Sequence, residues 1–145
     1  MFGRRYKPVE TYKAEGAEIL LLTMGSMGET AEMAIDELQA KGVSVGLVKL
    51  RMWRPFPFEE IREALKKAKK VLVTDRAVSF GGPGGPVCSE IKGALYQEAM
   101  KPAIYNYIIG LGGRDVRVID FVNMIENVAR DDIKAGAYEF WGVRE

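Results

Sequence analysis

The chain contains no histidine and a single cysteine. Without an imidazole there is no His-assisted serine or cysteine nucleophile, no His-liganded metal and no side chain poised by default to exchange protons near neutral pH. The lone thiol, Cys88, can form neither an internal disulfide nor a zinc or iron–sulfur ligand set, and it fits a reducing, cytoplasmic setting. Charge of one sign is lacking too. The 21 basic and 20 acidic side chains leave a net +1, so no global field recruits nucleic acid or an anionic membrane surface. No apolar run approaches the ~18 residues of a membrane span, and the first residues lack a signal-peptide core. Chemistry in this chain would fall to carboxylates, lysines or a borrowed cofactor. The expectation is therefore no catalytic, metal-binding or cofactor-binding residue within it.

What is present is an ordinary globular composition, 48% hydrophobic and 28% charged over 145 residues, enough for one domain. Its centre is the stretch Val71 to Leu95. A β-branched run, Val71 to Thr74, reads as a strand buried on both faces. It turns polar at Asp75 and Arg76 and passes through four glycines and two prolines between Gly81 and Pro86. From Val87 the pattern is helical, with Ile91, Ala94 and Leu95 on one face. The loop lacks the Gly-Lys-Ser/Thr ending of a phosphate loop, and Val87 stands where a dinucleotide fingerprint needs its third glycine. Pro83 and Pro86 remove two N–H donors from any anion cradle. A tight turn with close backbone approach around Gly84 and Gly85 accounts better for the glycines than phosphate binding.

Residues 1–16 are basic, aromatic and proline-interrupted, and read as a leading segment with an extended piece near Glu10 to Lys13. A buried strand follows from Glu18 to Met24, closed by Gly25. Ser26 and Glu29 match a capping box opening a helix with Ala31, Ala34, Ile35 and Leu38 on its apolar face. A second strand spans Val43 to Leu50, and Arg51 to Pro57, including Arg54 and Phe56, breaks it. Pro57 suits the first turn of a helix striped by Ile61, Ala64, Leu65 and Ala68, acidic early and lysine-rich late as the helix dipole prefers. Ala103 to Ile109 is a fourth strong strand, ending in a second glycine loop, Gly110 to Asp115, before a helix bearing Val118, Phe121, Val122, Ile125 and Ala129. The alternation predicts a three-layer α/β/α sandwich over residues 17–130. The remaining 131–145 form an aromatic tail in which Phe140 and Trp141 have little sequence to cover them, which suggests docking.

Taken in order, Thr23 to Gly28, the strand leading into Arg54-Pro-Phe-Pro57, the Asp75–Arg76 strand end with its glycine loop, and Gly110-Leu-Gly-Gly-Arg114-Asp115 resemble the C-terminal region of the α subunit of pyruvate:ferredoxin and related 2-oxoacid:ferredoxin oxidoreductases. The resemblance runs from about Tyr6 to Ile125. It implies a transketolase C-terminal-like fold, a mostly parallel five-stranded sheet whose first strand is antiparallel, with strand order reversing between the strands that end at Met24 and Thr74. It also implies a non-catalytic assembly domain of an enzyme that oxidatively decarboxylates a 2-oxo acid, pyruvate foremost, to acyl-CoA and reduces ferredoxin. In that family thiamine diphosphate and Mg bind between a preceding pyrimidine-binding domain and a partner subunit, iron–sulfur clusters lie elsewhere, and coenzyme A takes the acyl group. The loop residues Gly25, Ser26, Arg54, Phe56, Asp75, Arg76, Gly84, Gly85, Arg114 and Asp115, with Phe140 and Trp141, become candidates for contact with other domains or for weak self-association. Relatives often follow the second glycine loop with Thr-Pro; here Arg117-Val118 stand there, which leaves Asp115 as the expected helix cap. A different class stays open: an independent small-ligand or nucleotide-binding α/β module using the loops at Gly25 to Gly28 and Gly81 to Pro86.

Overall fold

In the computed structural model, which describes Gly3 and residues 6–143, a six-stranded sheet is sandwiched between two pairs of helices. The chain runs β1 (Val9–Tyr12), β2 (Ile19–Met24), α1 (Met27–Ala40), β3 (Val45–Leu50), α2 (Phe58–Leu65), β4 (Lys70–Asp75), α3 (Pro86–Ala94), β5 (Ala103–Ile108), a 3-10 turn (Leu111–Gly113), α4 (Val118–Ala129) and β6 (Tyr138–Phe140). Strand order across the sheet is β1-β3-β2-β4-β5-β6. The four central strands and β6 are parallel, and β1 runs antiparallel to β3 with Val9 opposite Leu50. The order reverses between β2 and β4, as the resemblance implies.

Alternation along the buried strands divides the core in two. Leu21, Leu47, Leu72 and Tyr107 face α1 and α4, packing on Ile35, Leu38, Phe121 and Ile125. Leu22, Val48, Val71 and Val73 face α2 and α3, packing on Ile61, Leu65, Val87 and Ile91. Strands covered on both faces need the unbroken apolar runs the sequence shows.

Three local expectations are corrected. Ser26 does not form a capping box: its backbone is already helical (φ −63°, ψ −19°), and its hydroxyl makes no cap bond, since an N-cap needs extended backbone to turn its oxygen on the following amides. Asp115 is exposed and does not cap α4. That role falls to Asp120, whose carboxylate accepts the Arg117 N–H at 2.8 Å. The tail also adds a sixth strand to the five expected. Tyr138–Phe140 pairs with β5, and Ile133 and Trp141 join the α1/α4 core. The expected leading segment and tail include residues 1, 2, 4, 5, 144 and 145, which lie outside the described residues. Among the described residues no helix is long and apolar enough to cross a membrane.

Candidate functional site

The ends of β2 and β4 flank the point where strand order reverses, the place where open α/β sheets receive ligands or partners. The loop after β4 dominates this rim, and its architecture is directed inward. Asp75, the last residue of β4, is buried. Its two carboxylate oxygens accept the Val87 N–H at 2.8 Å and the Cys88 N–H at 3.1 Å, first-turn amides of α3 that have no partner within the helix. Asn106 on β5 ties the assembly together: its amide donates to Asp75 at 3.1 Å and to the Val73 carbonyl at 3.0 Å, while its oxygen accepts the Gly85 N–H at 2.8 Å. Burial pushes the Asp75 carboxyl up, and these three donors work against that shift without cancelling it.

The glycines follow from this packing. Gly84 has φ +134°, a region closed to side chains, and a β-carbon there would stand 2.7 Å from the Asn106 oxygen. Gly85 has unexceptional backbone, yet its β-carbon would fall on the Asp75 carboxylate. The N-terminus of α3 thus already holds an anion, supplied by its own domain. The Gly85, Val87 and Cys88 amides that an anion at this helix end would seek are already bonded within the domain.

The other predicted residues are spread along the rim. Arg54 stacks on Trp53 and pairs with Glu90 of α3, whose carboxyl it holds below its usual range; Trp53 donates to the same carboxylate at 3.0 Å. Phe56 packs against the α2/α3 core and meets Phe58 edge-on, so this segment is clamped to its own domain. Arg76 donates to the Gly110 carbonyl at 3.3 Å, and Arg114 to the Leu111 carbonyl at 2.9 Å, which brings both guanidiniums to the second glycine loop. Neither has an acidic side chain within ion-pair distance among the described residues. Gly25 and Ser26 line an open cleft of about 320 Å³ with Glu29, Lys49 and Arg51. Its cations are neutralised: Lys49 pairs with Glu32 at 2.6 Å and Arg51 with Glu10 at 2.9 Å.

The aromatic tail divides. Trp141 lies inside, edge-on to Tyr107 and donating to Asp120 at 3.3 Å. Phe140 faces outward on the same side of the sheet as α3, 48% exposed. The most exposed apolar side chain of the rim escaped sequence reasoning: Phe80, 99% exposed at the tip of the first glycine loop. A phenylalanine among glycines and prolines was the available signal. The loop that carries it is braced by Ser79 N–H to the Gly84 carbonyl at 2.9 Å and Gly82 N–H to the Ser79 carbonyl at 2.8 Å.

Cys88 is buried, and burial pushes its thiol up to about 11. Among the described residues no three carboxylate or thiol groups converge as a metal site would require.

Residues 17–121 match the family model described as pyruvate:ferredoxin oxidoreductase core domain II. The chain is 40% identical over 144 residues to pyruvate synthase subunit PorA of Thermotoga maritima, covering 99% of itself and 36% of the relative. It is 42% identical over 130 residues to ketoisovalerate oxidoreductase subunit VorA of Pyrococcus horikoshii, covering 89% of itself and 33% of the relative. The chain therefore spans about a third of the length of the curated relatives it matches. Among solved structures, the 2-oxoglutarate:ferredoxin oxidoreductase of Magnetococcus marinus superposes with TM-score 0.61 at 26% identity, over 84% of this chain and 20% of that one. A split-gene transketolase, at 18% identity, shares the fold with TM-score 0.63 over 86% of this chain and 43% of its own.

Proposed function

Because the chain belongs to the pyruvate:ferredoxin oxidoreductase core domain II family, we propose that it serves as the assembly domain of a 2-oxoacid:ferredoxin oxidoreductase α subunit and performs no bond-making step itself. The observation that carries this reading is the internal use of the α3 N-terminus. Asp75 takes the amides that a ligand phosphate would seek, while Phe80, at the crest of the same loop, stays fully in solvent. A rim that is satisfied within and apolar without suits a protein contact better than a small-molecule site.

In this reading thiamine diphosphate and Mg are held between a preceding pyrimidine-binding domain and a partner subunit. Iron–sulfur clusters and coenzyme A are held outside this domain as well. The relatives at 40% and 42% identity bear names that refer to different 2-oxo acids, pyruvate and ketoisovalerate, which supports assigning substrate choice to other parts of the enzyme.

The test is reconstitution. The purified chain, given pyruvate, thiamine diphosphate, Mg2+, coenzyme A and methyl viologen, should reduce no dye above buffer. Co-expressed with an α subunit lacking this domain and with the other subunits, it should co-purify and restore turnover, and Phe80→Ser should weaken that association without lowering the chain's own thermal midpoint. Turnover by the chain alone, or failure to associate, would defeat the proposal. The competing reading, a free-standing small-ligand module, rests on the cleft at Gly25 and Ser26; saturable stabilisation by a nucleotide that Ser26→Ala abolishes would favour it.

A further inference from the structure

The sheet ends on one side at β1, which has a neighbouring strand on one flank only. The Arg51 N–H donates to the Pro8 carbonyl at 2.9 Å. By antiparallel alternation Glu10 and Tyr12 then turn their amides and carbonyls toward β3, and Val9 and Thr11 turn theirs away from the sheet. No bond to either outward N–H is made among the described residues. Hollows lie on both faces of this edge. On the α2 side an open hollow of about 490 Å³ is lined by Val9, Thr11 and Ala64, by Lys7 at its end, and by the three carboxylates of Glu59, Glu60 and Glu63. On the α1 side one of about 340 Å³ shares Val9 and Thr11 and is walled by Glu10 and Glu32. Open hollows on both faces therefore leave the outward backbone groups of β1 accessible from the side.

The walls differ in charge. On the α1 side Glu32 and Glu10 are already neutralised by Lys49 and Arg51. On the α2 side Glu63 pairs with Lys66, while Glu59 and Glu60 have no cation within ion-pair distance among the described residues. Resting on the assembly reading above, we propose that the β1 edge receives an extended segment of a partner subunit as a seventh strand, carrying lysine or arginine at alternate positions toward α2. Backbone bonds to Val9 and Thr11 supply affinity, and Glu59 and Glu60 select the basic face. A second copy of this chain fits poorly. Pairing β1 with its own copy keeps both α2 helices on one face, acidic wall against acidic wall. The shortness of β1 and its flanking Lys7, Pro8 and Lys13 guard the edge against indiscriminate pairing.

Amide hydrogen exchange over residues 9–12, in the complete complex and in the isolated chain, tests this. The segment should exchange at least about tenfold more slowly in the complex. Glu59→Lys with Glu60→Lys should weaken association about tenfold and flatten its salt dependence, with the isolated chain's thermal midpoint unchanged. Thr11→Pro, which deletes an outward donor and spares the bonds to β3, should do the same at unchanged salt dependence. Equal exchange in both states, or protection already complete in the isolated chain, overturns the proposal. So does wild-type association by the charge-reversed chain. A chain that assembles normally yet shows fast exchange at Val9 and Thr11 defeats this inference alone, whereas one that never associates defeats the assembly reading.

Discussion

A β-carbon on Gly85 would stand 2.0 Å from the Asp75 carboxylate, while one on Gly84 would meet Asn106 from a backbone with φ +134°. Two neighbouring glycines are thus required for separate reasons, contact in one and conformation in the other. Gly85→Ala should cost about 3 kcal/mol or more, because the clash is with the carboxylate that caps α3. Gly84→Ala should cost about 1–3 kcal/mol from backbone strain and contact together. Urea unfolding of both variants checks the order. If Gly85→Ala is the milder change, the Asp75 cap is not as tight as its distances state.

Trp141 and Phe140 are adjacent yet belong to different surfaces. Trp141→Ser removes an indole packed on Tyr107 and should lower stability by about 2–4 kcal/mol. Phe140→Ser should change it by no more than about 0.5 kcal/mol and act on assembly instead. Thermal denaturation of the two single variants separates them; matching losses would place both rings in the core.

Acid should release the tail before it unfolds the sheet. Burial pushes the Asp120 carboxyl up, but the Arg117 amide, the Arg117 guanidinium and the Trp141 indole together hold it below its ordinary value. A carboxyl depressed in the folded state contributes fully above the unfolded value of about 3.9, and its contribution is lost as pH falls through the lower folded value. In a Trp53→Phe background, Trp141 emission should shift to the red below about pH 4. Asp120→Asn should remove that acid-dependent component. A pH-independent emission maximum down to unfolding would count against the Asp120–Trp141 link.

The Thr23 hydroxyl is buried at the end of β2 with no hydrogen-bond partner among the described residues. Leaving such a group unsatisfied costs about 1–3 kcal/mol, so Thr23→Val should hold or raise the thermal midpoint. A fall of more than about 1 kcal/mol would show that the hydroxyl is bonded after all.

Cys88 should label slowly with a thiol reagent in the native chain and rapidly in denaturant. The helix N-terminus does not activate it, because burial disfavours the thiolate more than the Lys92 charge favours it, and Asp75, which accepts the Cys88 N–H, adds negative charge beside it. Native labelling at the denatured rate would show the thiol exposed.

Much of the fold is visible in the chain because its strands are buried on both faces and its helices carry single stripes. Leu20 to Thr23 and Val71 to Thr74 are short unbroken apolar runs bounded by turn residues, the mark of a strand covered on both faces. β6 was invisible for the opposite reason: three residues between Gly136 and Gly142 carry no periodicity, and only pairing with β5 makes them a strand. The capping signals misled in a regular way. Ser26 and Glu29 match the pattern with the wrong backbone, whereas Arg117 and Asp120 do the work without a serine or threonine. At the rim, the glycine loop reads correctly as a tight turn. Its cause does not, since Asp75 reaches its amides across a loop whose path the sequence does not state. Phe80 was marked only by its setting beside a run of glycines and prolines, and its full exposure is a property of the fold.

The first and last strands are the two margins of the sheet, and they open on one side of it. β1 begins opposite Leu50 and β6 ends beside Ile108, both at the rim where Phe80 stands. Five strand spacings separate them, roughly 24 Å, a distance that seven or eight extended residues cover. A circular permutant opened at Gly42, on the far side of the sheet, would have to lay its new linker along that rim. Such a molecule would retain the same core and the same strand order, and would carry its own plug across the rim we propose as the domain's contact face.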